Sequence, residues 1–206
     1  MVIGAREVSA SAPTSRHRYL HWGATAAESA AVLAGDELLS GVRLTATRAI
    51  TIGAPAAAVW PWIVQLGQGR GGFYSYDALE NLVGCHIHSA DRVVPEWRDL
   101  DVGDEVRLHP AVALTVARVD PGRVLVLRGA VPMGSSPAPY DFTWSFVLLD
   151  GPDENTRLVV RERYEYLRWW ASAVVEPVEV VSAVMSRRML LSIRQRVEQR
   201  RVPRSA

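Results

Sequence analysis

The sequence predicts an α+β protein, a curved antiparallel β-sheet of about six or seven strands around a long C-terminal α-helix. Three observations carry this. Two runs, YDFTWSFVLLD and TRLVVRERYEY, alternate with period two, and a turn-rich stretch from Asp150 to Thr156 joins them. From about residue 86 onward the chain consists of short apolar runs broken by Gly, Pro, Asp and Ser. It then closes in a long helical pattern, in which Val181, Met185, Met189, Ile193 and Val197 fall on roughly one stripe. One face of such a sheet is apolar and needs cover, and the long helix is the available cover. A sheet curved around one helix leaves a hollow between them.

The elements follow in order. Residues 1 to about 24 read as a poorly ordered arm, rich in Ser, Ala and Pro. The Thr25-x-x-Glu28 capping box opens a short helix that closes near Gly35. The run LTATRAITI is a strand with Ile50 and Ile52 facing inward. Pro55 suits the start of a helix through PAAAVWPWIVQLG, which Pro61 should kink or split. Asp77 and Glu80 form a second capping box, and Gly84 ends that helix. HIHSADRVVPEW, DEVRLH, ALTVARV and RVLVLRGA read as strands, with Asp120-Pro121-Gly122 as a turn. The loop VPMGSSPAP is placed over a pocket mouth. The last helix spans about 170–200, kinked near Pro177. The division is an N-terminal arm with a short helix (1–43), one ligand-binding domain (44–201) and a tail (202–206).

At 206 residues the chain suits one domain with a core and a cavity. A formal net charge of +1 argues against nucleic-acid binding, and the terminal arginines (Arg194, Arg196, Arg200, Arg201, Arg204) read as a solvated helix end. All 23 basic residues are arginine, which excludes a lysine Schiff base and conventional pyridoxal-phosphate chemistry. Cys85 is the only cysteine, so neither an intrachain disulfide nor a C-x-x-C pair can form. The N-terminus lacks the apolar core of a signal peptide, and the apolar stretch near 174–185 is too short and interrupted to span a bilayer. The expected setting is cytoplasmic, with no membrane span.

The segments ATRAITIGAPAAAVWPWIVQLGQGRGGFYSYDALENLVG, the strand run, and EPVEVVSAVMSRRMLLSIRQRVE resemble the START-like, or SRPBCC, superfamily. The resemblance covers about residues 44–200 and implies the helix-grip fold of lipid-transfer domains, polyketide cyclases and pollen-allergen-like carriers. It implies an internal cavity for a hydrophobic small molecule but no single reaction, because carriers and enzymes share this fold. GQGRGGFYSYD and HSADRVVPEW are similar to a bacterial subgroup from which no catalytic residues carry over.

Within the strand pair, Phe142, Trp144, Phe146 and Leu148 share one face, as do Leu158, Val160, Glu162, Tyr164 and Tyr166. Glu162 is the anomaly, a carboxylate on an apolar, aromatic face that must be paired, neutralised or used. If Val124, Val126 and Arg128 point inward, Arg128 is its natural partner. Tyr74, Tyr76, Trp97, Phe142, Trp144, Phe146, Tyr166, Met185 and Met189 are the candidate ligand contacts, with Trp169 nearby in sequence. Gly67, Gly69 and Gly72 match G-x-G-x-x-G only formally, since they follow a helix rather than a strand; they read as a turn at the cavity rim. His86, His88 and Asp91 have strand spacing for metal ligation but no fourth ligand, and no metal site is expected there.

The leading expectation is binding of a hydrophobic, aromatic or polyketide-like ligand. The alternative is a cyclase or dehydratase, independent of metal and cofactor, using Glu162 as acid/base with Arg128 and the Tyr164 hydroxyl. A non-catalytic interaction module is the third reading, and a homodimer is compatible with all three.

Overall fold

The structure, a computed structural model, describes residues 15–82, 84–132 and 136–199. Its helices are α1 (Ser15–Leu20), α2 (Ala26–Ala30), α3 (Ala56–Val64), α4 (Asp77–Leu82) and α5 (Ala171–Gln199). Its strands are β1 (Val42–Ile52), β2 (Glu105–His109), β3 (Val112–Asp120), β4 (Val124–Gly129), β5 (Tyr140–Asp150) and β6 (Thr156–Tyr166). The strands pair antiparallel throughout, in the order β1-β6-β5-β4-β3-β2. The result is the expected curved sheet gripping a long C-terminal helix.

The grip follows from the helix stripe. Ala171, Val175, Ala183, Met189, Leu190, Ile193 and Val197 are buried along one side of α5. The middle of that stripe is polar, with Glu179 and Ser186 also buried. On the sheet, Leu44, Ile50, Ile52, Leu125, Leu127, Phe146, Leu148, Leu158 and Val160 meet it in one core cluster. At the far end the Glu198 carboxylate accepts the Gly53 N–H at 2.9 Å, fastening α5 to the turn after β1.

The convex face is covered too. Leu33, Ala34 and Leu38 pack over Val124, Val126 and Val147. Three arginines of β6 hold this segment. Arg157 pairs with Glu28 at 2.7 Å and donates to the Gly23 carbonyl. Arg161, only 3% exposed, donates to the carbonyls of Glu28, Ser29 and Ala31 and pairs with Asp36. Arg163 donates to the Asp36 carbonyl. Arg161→Ala is therefore expected to cost about 2–4 kcal/mol, because it takes the guanidinium donor from three carbonyls and leaves the Asp36 carboxylate only the Leu33 N–H and Arg163. Hydrogen exchange checks this: amides of residues 28–38 should lose protection while those of β5 and β6 keep it. An unchanged pattern would mean that Arg157, Arg163 and the packing of Leu33, Ala34 and Leu38 suffice to hold the segment.

Several local expectations are corrected. The Thr25–Glu28 capping box forms, but its helix ends at Ala30, and Gly35 (φ 91°) instead opens a 3₁₀ turn, Asp36–Leu38. Asp77 is the first residue of α4 rather than its cap; its carboxylate accepts from the Ser89 N–H and hydroxyl at 2.7 and 2.5 Å. HIHSADRVVPEW is not a strand: it runs irregularly into a 3₁₀ turn at Pro95–Trp97. Its backbone is satisfied by side chains, Asn81 to both amide groups of Ile87 and Gln65 to Arg92 and Val94. Pro61 lies in the last turn of α3, and α5 runs through Pro177. Gly67 and Gly72 pair across a tight turn, both with positive φ. The arm expected over residues 1 to about 24 is ordered in its second half, where α1 forms and Leu20 is buried with Tyr19 and Trp22 packed on the core; its residues 1–14, the centre of the 131–139 loop (133–135) and the tail lie outside the described residues.

Candidate functional site

Between α5 and the inner sheet face lies a cavity of about 250 Å³. Phe142 and Trp144 of β5 and Glu162 and Tyr164 of β6 form its sheet wall. Val178, Val181, Ser182, Met185, Ser186 and Met189 of α5 form the opposite wall. Phe73, Glu80, Cys85 and Ile87 close one side, and Val131 and Tyr140 another. Val178 and Val181 are exposed and mark the cavity's outer edge.

Glu162 faces the cavity, but its partner is not Arg128. β4 presents Leu125 and Leu127 to the core, while Val124, Val126 and Arg128 face the convex side. Arg128 there pairs with Asp141 at 2.6 Å, which holds its guanidinium above its usual pKa. The cation beneath Glu162 is Arg48 of β1, 1% exposed, with N–H···O at 3.0 Å. Arg48 also pairs with Glu179 and donates to the Tyr19 carbonyl at 3.1 Å. Tyr164 (3.1 Å), Ser182 (2.9 Å) and Ser186 (2.9 Å) complete the donors around Glu162. With four groups donating to its two oxygens, the charge of Glu162 is compensated in place. Burial, then the Glu162 charge, pushes the Tyr164 phenol well above its usual pKa, so it serves as a protonated donor.

Glu179 is different. Burial raises its carboxyl to about 7 against the opposing pull of Arg48, and the Glu162 charge adds to the rise. Arg48 therefore serves two buried carboxylates, one of which titrates near neutrality.

The other candidate contacts divide. Phe142, Trp144, Met185 and Met189 stand on the cavity wall. Phe146 lies behind Trp144, ring centroids 4.8 Å apart, in the filled core. Tyr74 is buried against Trp62, with its hydroxyl bonded to Gln65 at 2.6 Å, and burial pushes it up to about 12. Tyr76 is partly exposed beneath the Arg188 guanidinium. Trp97 sits on the 3₁₀ turn, its carbonyl accepting from Arg70 at 2.8 Å. Tyr166 packs at the end of β6 outside the cavity wall, and Trp169 is exposed. His86 and His88 are exposed, and no His, Cys, Asp or Glu triad suited to a metal occurs among the described residues.

Two site residues escaped the sequence reading. Arg48 shares its strand parity with Ile50 and Ile52, so the alternation itself marked it as inward. Glu80 looked like a helix-capping residue, and nothing local in the sequence placed it in a cavity.

No family model and no curated protein matches the chain. Solved structures do. A protein of Nitrosospira multiformis, 18% identical, gives a TM-score of 0.51 over 77% of this chain and 100% of its own. A Mesorhizobium loti protein, 12% identical, gives 0.48 over 77% and 100%. Ara h 8.0201, 12% identical, gives 0.44 over 77% and 99%. At 18% identity the likeness to the Nitrosospira multiformis protein is one of fold. No helix among the described residues is long and apolar enough to cross a membrane.

Proposed function

We propose that the protein binds a compact hydrophobic small molecule, aromatic in part, between the sheet and α5. The observation that carries this reading is the cavity wall, where Phe73, Phe142, Trp144, Met185 and Met189 surround unfilled space inside a packed core. Interiors otherwise fill to crystal-like density, so a hollow lined by aromatic rings and adaptable methionines suits an occupant. At about 250 Å³ the space falls just below the usual range for drug-sized ligands and suits one or two rings. A filled space would have favoured an interaction module.

Proton transfer by Glu162 is the weaker reading. Its oxygens are engaged by Arg48, Tyr164, Ser182 and Ser186, and Arg128 stands on the other face of the sheet. A base needs a free lone pair aimed at the substrate proton.

Native mass spectrometry of freshly purified protein tests the reading by searching for a small molecule that leaves on denaturation. In parallel, 2-methylnaphthalene is titrated into delipidated protein, with Met185→Trp as the blocked variant. The indole should fill the cavity and weaken binding about 100-fold while the fold is kept. Absence of both a co-purified ligand and probe binding would overturn the reading.

A further inference from the structure

Polar side chains around the cavity are almost all engaged with one another. Ser182, Ser186 and Tyr164 donate to Glu162, Ser75 donates to the Met185 carbonyl, and Tyr140 accepts from the Val131 N–H. Two wall groups differ. Among the described residues, neither carboxyl oxygen of Glu80 nor the indole N–H of Trp144 has a hydrogen-bond partner, although all three atoms are buried.

Glu80 is 4% exposed. No ion pair reaches it among the described residues, and its neighbour Asp77 is turned away to Ser89. Burial, and then the Asp77 charge, raise its carboxyl to about 7. Beside it, Cys85 donates its N–H to the Glu80 carbonyl at 3.1 Å, and burial, then the Glu80 charge, push the Cys85 thiol up. A carboxyl retained for the stability of α4 would be bonded to backbone N–H groups of the first turn, as Thr25 and Glu28 are at α2. An unpartnered carboxyl in an apolar wall costs stability and offers a ligand its strongest polar contact.

We propose that Glu80 is the polar anchor of the cavity and, with Trp144, selects an uncharged hydroxyl-bearing aromatic ligand while rejecting a carboxylate. This rests on the binding function proposed above. A hydroxyl suits Glu80 in either protonation state, donating to the carboxylate or accepting from the acid. The indole N–H is a donor only, so the ligand must also present an oxygen lone pair. Above pH 7, where Glu80 is ionised, an anionic ligand would set its charge against it in a wall where no free cation faces it among the described residues.

Three probes of one shape test this by calorimetry on the full chain at pH 8, where Glu80 is ionised: 2-naphthol, 2-methylnaphthalene and 2-naphthoate. The native protein should bind 2-naphthol at least about tenfold more tightly than 2-methylnaphthalene, and 2-naphthoate more weakly than either. In Glu80→Leu the naphthol-to-methylnaphthalene ratio should collapse towards one. Should that variant fail to fold, Glu80→Gln serves instead, and its amide should improve 2-naphthoate binding at least about tenfold over the native chain. Equal affinity of the native protein for 2-naphthol and 2-methylnaphthalene, or a preference that survives Glu80→Leu, overturns the anchor and leaves the cavity function standing. Failure of every probe to bind overturns the anchor, and if no small molecule co-purifies either it overturns the cavity function as well.

Discussion

Arg48→Met is expected to lower the unfolding free energy by about 3–5 kcal/mol, the usual cost of removing one partner from a buried ion pair. The loss is large because Arg48 is the shared counter-ion of Glu162 and Glu179, both about 1% exposed. Without it, two carboxylates are left facing each other between β6 and α5, and at least one must take up a proton or draw in water. For a chain of this size the melting temperature should fall by roughly 10 °C. Urea unfolding at pH 7.5 measures it. Combining Arg48→Met with Glu162→Gln and Glu179→Gln should recover most of the loss, since neutral amides need no counter-ion. A loss below about 1 kcal/mol for Arg48→Met alone would mean that the serines and Tyr164 suffice to hold the charge.

Stability is expected to peak near pH 4.5–5 and to fall as pH rises towards 8. Glu80 and Glu179 are each raised from 4.5 to about 7 in the folded protein. Between these values the native state holds protons that the unfolded chain has released, so stability declines with increasing pH and levels off above about 7. At 1.36 kcal/mol per pH unit, each carboxyl contributes a decline of about 3 kcal/mol. Glu28 acts in the opposite sense. Its hydrogen bonds to Arg157 hold it down at about 2, so its contribution is present above 4.5 and lost as pH falls through 2. Urea midpoints at pH 5 and pH 8 should therefore differ in favour of pH 5, and Glu80→Gln with Glu179→Gln should flatten the difference. Equal midpoints in the native chain would show that both carboxylates ionise at their ordinary values.

Much of the fold could be read from residue order because the inner sheet face is apolar over long runs. β5 and β6 alternate cleanly, and their inward residues, Glu162 included, are those that period two assigned. The same rule failed on β4. Its Val-Leu-Val-Leu run carries no alternation, because Leu33, Ala34 and Leu38 bury its convex face as the core buries the other. Period two alone therefore puts Arg128 on the wrong side of the sheet, facing Glu162, whereas it lies on the convex face with Asp141. On β1 the parity was correct for Ile50 and Ile52, and extending it by one step would have found Arg48.

By itself, then, the sequence determined the antiparallel sheet, the long helix that covers it and the inward carboxylate on β6, since each is written in a local period of two or 3.6. Only the tertiary structure decided the rest. It paired β1 with β6, bringing together Arg48 and Glu162, 114 positions apart, and laid the polar middle of α5 over both. It also brought α4 against the cavity, leaving the Glu80 carboxyl there without a protein partner among the described residues. Pairing of charges across a core depends on which strands become neighbours and on what covers each face, and neither is a property of any one segment.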